Sequence, residues 1–90
     1  MADIHVIPIN QSQFRVEVRE NDGLTVHEVT ASEADIKRYG GETKAERLVK
    51  LSFEFLLERE PKESILRSFD LPVIERYFPE YPREIRKRLV

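Results

Sequence analysis

The chain has two histidines, His5 and His27, and no cysteine. Together with Glu17 or Glu28 they are the residue types that hold a divalent metal or move protons, and a sheet could bring them together. No H-x-H or H-x-x-x-H pair accompanies them, so the ligand spacing of a zinc centre is missing. The plainer reading takes His27 as an exposed cross-strand neighbour of Glu17 and His5 as an ordinary edge residue, and the sequence favours it. Ser12, Ser32, Ser52, Ser64 and Ser68 have no histidine beside them, and caps and loops account for most of them. The stretch Tyr39-Gly40-Gly41-Glu42-Thr43 lacks the G-x-G-x-x-G and G-K-[ST] contexts that cradle phosphate. It reads as the end of one helix and the start of another. No catalytic residue, metal or cofactor is expected, and an enzyme is disfavoured.

Binding chemistry is better represented. Residues 69–82, FDLPVIERYFPEYP, hold four aromatics and three prolines. Phe69 and Phe78 suit closure over a core, whereas Tyr77 and Tyr81 are candidates for contact with a partner, because tyrosine is enriched at interfaces. Arg83, Arg86, Lys87 and Arg88 form a basic tail that adds four further candidate contacts. The net charge of −2 and a pI near 5.7 give no overall field for nucleic acid. Residues 61–78 superficially resemble a helix-turn-helix, but the prospective recognition helix would expose Glu75 with Arg76 and precede Glu80.

These residues need elements to place them. Phe14, Val16 and Val18 alternate with Arg15, Glu17 and Arg19, the period-2 pattern of a strand with one buried face. A three-residue turn, Asn21-Asp22-Gly23 with Gly23 at positive φ, would set Val18 opposite Val26, Glu17 opposite His27 and Glu28 opposite Val16. An Asp22-Gly23 two-residue loop would set Arg19 opposite Val26 and mix the faces. Residues 3–9 form a further strand, with Ile4 and Val6 on one face and His5, Ile7 and Ile9 on the other; Pro8 makes it an edge strand or a short one. Ser32 with Asp35 resembles a capping box for a short helix over 32–39. Thr43 with Glu46 forms a second box and opens a helix over 44–60 that Pro61 stops.

That central helix sets the architecture. Ala45, Leu48, Val49, Leu51, Phe53, Phe55, Leu56 and Leu57 spread over roughly 240° of its circumference, against about 100–140° for a surface helix. It must be covered on two sides, by the hairpin on one and by C-terminal helices, a second subunit, or both on the other. Pro61 would begin a helix through Phe69. Asp70 would cap the next, with Phe69 and Ile74 as a hydrophobic staple. Pro79 ends that helix, and Pro82 opens a last short one carrying Ile85 and Leu89.

The string FLLEREPKESIL…FDLPVIERYFPEYP, within Ser52–Ile85, resembles a family of small uncharacterised bacterial proteins. The resemblance covers most of the chain. It implies a bacterial cytoplasmic origin and supplies no activity and no site residue.

The expected fold is therefore α+β in one domain over 1–90. An N-terminal antiparallel hairpin or three-stranded meander (1–30) precedes a short helix (32–39), the central helix (44–60) and short C-terminal helices (61–90). Residues 1–10 do not read as a signal peptide, no apolar run is long enough to span a bilayer, and the lack of cysteine suits the cytoplasm. The leading expectation is a non-catalytic interaction or regulatory protein whose partner is another protein or a second copy of itself. The alternative is a nucleic-acid-linked regulator using the basic C-terminal helix.

Overall fold

Strands β1 (Asp3–Pro8), β2 (Gln13–Glu20) and β3 (Gly23–Thr30) form an antiparallel meander in the computed structural model, which describes residues 2–21 and 23–90. The alternation in β2 is realised: Phe14, Val16 and Val18 are buried, while Arg15 and Arg19 are exposed. Five helical segments and one more strand follow: α1 (Glu33–Gly40), α2 (Ala45–Leu57), a 3₁₀ turn (Lys62–Ser64), β4 (Ser68–Asp70), α3 (Val73–Tyr77) and α4 (Tyr81–Leu89). The fold is α+β, with a four-stranded sheet in the order β1-β2-β3-β4. Among the described residues, helices pack against one face only. The other face carries Arg15, Arg19, Leu24 and Glu28, all exposed.

The hairpin register differs from both turn readings. Glu20 pairs with Gly23, so only residues 21 and 22 lie between the strands; the expected turn includes Asp22, which lies outside the described residues. Asn21, not Gly23, takes positive φ, at 57°, a conformation asparagine tolerates better than most side chains. The lack of a side chain at Gly23 serves another purpose: a Cβ there would sit 3.1 Å from the Nζ of Lys62. A shift of one residue from the three-residue-turn register sets Val16 opposite His27 and Glu17 opposite Val26, which exchanges the two faces of β3. His27 is therefore turned into the core, 1% exposed, and is not the exposed neighbour of Glu17. Glu28 lies opposite Arg15 on the outer face, which removes its conflict with Val16.

Ser32 caps α1 as the sequence implies, with its Oγ accepting from the Asp35 N–H and the Asp35 carboxylate accepting from the Ser32 N–H. Gly41, at φ 62°, ends the helix. The second capping box does not form: α2 is capped by Lys44 with no side-chain bond, one residue beyond Thr43. Leu48, Val49, Ser52, Phe53, Phe55 and Leu56 of α2 are buried. The sheet covers one side of the helix, and α1 and α4 cover another. Tyr81 is central to that cover. Its ring lies 5.0 Å from Tyr39 and 5.3 Å from Phe55. Ser52 spends its only proton on the Leu48 carbonyl at 2.7 Å, so the Tyr81 hydroxyl must donate to Ser52 Oγ at 2.6 Å.

The segment after Pro61 departs most from expectation. It makes a single 3₁₀ turn, and Ile65 is already extended at ψ 132°. Ser68–Asp70 then pairs parallel to β3, with Phe69 beside Val29, and α1 and α2 supply the crossover that a parallel neighbour requires. The Glu28 N–H donates to the Arg67 carbonyl at 2.7 Å, and the Leu71 N–H to the Thr30 carbonyl at 2.8 Å. These sheet bonds hold Asp70 extended, so it caps nothing; Pro72 precedes α3, and the Phe69–Ile74 staple does not arise. No helix of the described residues is long and apolar enough to cross a membrane.

Candidate interaction groove

The segment drawn onto the sheet leaves a groove of about 220 Å³ between itself, the C-terminal end of α2 and helix α3. Its floor is Leu56, Ile65, Phe69 and Ile74, all buried. Its rim carries the two large apolar side chains Leu66, 46% exposed, and Tyr77, 66% exposed. Val73 and Phe78 complete the apolar wall, and Glu60 and Ser64 are the polar side chains at its edge. Burial pushes the Glu60 carboxyl above its ordinary value, and among the described residues it has no hydrogen-bond or ion-pair partner.

His27 positions this groove. Its Nδ1 lies 2.8 Å from the Leu66 carbonyl, which can only accept, so Nδ1 carries the proton. Nε2 then accepts from the Thr25 hydroxyl at 2.9 Å. Both ring nitrogens are satisfied, and the ring packs 5.3 Å from Phe53. Burial, the largest influence, holds the imidazole below its ordinary pKa; the bond to Leu66 opposes that and the charge of Arg67 adds to it. A neutral ring with both nitrogens engaged is a structural tie. It fixes the backbone at Leu66 while the Leu66 side chain stays at the rim.

A second fastening comes from Lys62, which is buried although charged. Its Nζ lies 2.8 Å from Glu63 and 4.0 Å from Glu20, so the 3₁₀ turn is clamped against the end of the hairpin. On the opposite side of the groove, α3 is held to α1 through Glu75. One carboxylate oxygen of Glu75 accepts from the Tyr39 hydroxyl at 2.7 Å and from Arg38 at 3.0 Å. Burial, with the bond to Glu75 next, pushes the Tyr39 phenol up to about 12.

The sequence-derived contacts separate into two groups. Tyr77 is exposed and lines the groove. Tyr81 is fully buried and is not available to a partner, because its ring and hydroxyl are consumed in joining α1, α2 and α4. Arg83, Arg86 and Lys87 are exposed on α4. Arg83 and Lys87 both reach Glu84, at 3.8 and 3.4 Å. Arg88 is half-buried and bonded to Glu58 at 2.6 Å, which holds the Glu58 carboxyl below its ordinary value. Much of the tail's positive charge is thus answered locally, which weakens a phosphate-binding role. The basic tail and the groove share no residue.

His5 and His27 are not brought together. His5 is exposed on β1 opposite Glu17, and His27 is on the inner face. Among the described residues no group of three or more His, Cys, Asp or Glu is placed to hold a metal ion. Leu66, Val73 and Glu60 escaped the sequence reading as site residues. Glu60 and Val73 carry no local signal; Leu66 lies in the alternation of Ile65, Leu66 and Phe69, Asp70, Leu71, which fits an extended chain with Phe69 and Leu71 inward as well as it fits a helix. No protein-family model matches the chain, and no curated protein or solved structure matches it either.

Proposed function

We propose that this chain is a non-catalytic binding protein that takes a short apolar segment of a protein partner into the groove between Leu66 and Tyr77. The observation that supports this reading is that two exposed large apolar side chains, Leu66 and Tyr77, line one concave site with a buried apolar floor. Single exposed apolar residues are ordinary, but a contiguous patch beside a groove is the pattern of an interaction site. Size argues for a side-chain anchor: about 220 Å³ is below the roughly 300–1,000 Å³ of pockets that engulf drug-sized ligands. The unpaired Glu60 carboxylate at the edge favours a segment with lysine or arginine beside its apolar anchors. The same reading places the protein in the cytoplasm, in keeping with the absence of cysteine.

Panning a displayed random-peptide library on the immobilised protein tests the proposal. Enriched peptides should combine one or two large apolar residues with a neighbouring cation. Leu66→Glu should weaken them about tenfold or more, since a burial worth about 1.5–3 kcal/mol is replaced by a charge. Peptides that bind the Leu66→Glu protein equally well would refute the site.

A further inference from the structure

The free edge of β1 has a different character. Most edge strands are blunted by shortness, by charge or by proline. β4, at the other edge of the sheet, is only three residues long. β1 is six residues long, with its acidic residue, Asp3, at the first position and its proline at the last. Between them run Ile4, His5, Val6 and Ile7. Ile4 and Val6 belong to the inner face, opposite Val18 and Val16, yet both are only half-buried, because among the described residues no strand lies beyond β1. An open trough of about 620 Å³ follows this edge, with Asp3, Ile4 and His5 on the strand side and Lys50, Glu54 and Leu57 of α2 on the other.

We infer that a second copy of this chain occupies that edge, β1 pairing antiparallel with β1 of the partner across a two-fold axis at His5. The parity of the pleat and the side-chain pattern select this register. Directly opposed residues of an antiparallel pair share a face. Centring on His5 sets each Ile4 against the other copy's Val6 on the inner face and completes the cover that both lack. The two sheets become one of eight strands, and the interface is isologous, as a two-fold dimer requires.

Charge supports the same arrangement. Lys50 and Glu54 flank the trough one helical turn apart, and neither makes an ion pair among the described residues. When two α2 helices run antiparallel beside the axis, each Lys50 faces the other copy's Glu54. Glu20 and Glu58 also line the trough but are answered within the chain, by Lys62 and by Arg59 and Arg88. Beside Asp3 at the strand end, Lys50 and Glu54 are therefore the charges left to meet across the axis.

Sedimentation and a single-cysteine variant test this together. The wild-type protein should sediment at twice the 10.6 kDa chain mass at high micromolar concentration. Lys50→Glu places four carboxylates at the helix pair and should weaken the dimer by about tenfold. The double variant Lys50→Glu/Glu54→Lys restores opposite charges across the axis and should restore the dimer. Far-ultraviolet circular dichroism should be the same for all three. Since the chain has no cysteine, His5→Cys introduces a sole thiol. Opposed residues at about 4.5–5.5 Å between Cα atoms meet disulfide geometry, so mild oxidation should give a covalent dimer. Glu28→Cys, on the same outer face two strands away, should stay uncrosslinked under identical oxidation. A wild type that stays at 10.6 kDa, a dimer indifferent to Lys50→Glu, or His5→Cys oxidising no faster than Glu28→Cys would overturn the inference.

Discussion

Replacing His27 with leucine should destabilise the protein and remove part of its sensitivity to acid. Leucine fills a similar volume against Phe53, so the cavity contribution is small. What it cannot replace is the donor to the Leu66 carbonyl, bonded at 2.8 Å in a part-buried setting. A buried carbonyl left without a partner costs about 1–3 kcal/mol. For a chain of this size urea unfolding has a slope of about 1 kcal/mol/M, so the midpoint at pH 7.5 should fall by about 1–3 M. The pH dependence carries the sharper signature. Burial holds the folded-state pKa of His27 below the ordinary 6.5, so on acidification the unfolded chain takes up the proton first. The stability contributed by neutral His27 is complete above pH 6.5. It declines by about 1.4 kcal/mol per pH unit below that value and levels off once the pH passes below the folded-state pKa. All other groups are common to both proteins, so the difference between the wild-type and His27→Leu curves isolates His27. That difference should shrink from pH 7.5 toward pH 5. A His27→Leu midpoint within 0.5 M of wild type, or a difference that is flat across this range, would refute the assignment of His27 as the tie beneath Leu66.

Other substitutions separate core from surface. Tyr81→Phe should cost about 0.5–1.5 kcal/mol by urea unfolding, the worth of the bond to Ser52, while Tyr81→Ala should cost about 3–5 kcal/mol. Neither cost is expected of a solvent-exposed contact. Tyr77→Ala should leave stability within about 0.5 kcal/mol and abolish binding of groove-selected peptides. Tyr39 should ionise at about 12 in an absorbance titration. Stability from its neutral form is whole below about pH 10 and is lost as the pH rises from there through the folded value, so Tyr39→Phe should flatten the alkaline limb of the stability curve.

What was legible in the sequence, and what was not, has a physical pattern. Local signals held where one interaction dominates. The alternation through Phe14, Val16 and Val18, the Ser32–Asp35 box and the Gly41 stop are all realised. The broad apolar circumference of α2 correctly implied cover on two sides, and the chain's own sheet and helices provide much of it. Signals failed where a distant segment decides. The hairpin register looked better with Val26 inward, because valine is the cheaper residue to bury. His27 wins that place because Leu66, thirty-nine residues away, offers its carbonyl. Ser68–Asp70 carries too few residues to separate a period of two from 3.6, and the edge of β3 captured it. The groove follows from that capture, so Glu60 had no local mark and Leu66 only an ambiguous alternation, whereas Tyr77 stood out as an aromatic. Tyr81 between two prolines looked exposed; only the packing of α4 on α2 shows it at 0% exposure.

The groove's role is tested most directly by backbone amide shifts of the isotope-labelled protein titrated with a library-selected peptide. Shifts concentrated over residues 60–78, and abolished by Leu66→Glu, are the predicted result. Shifts confined to residues 83–88 of α4, with residues 60–78 unmoved, would contradict it.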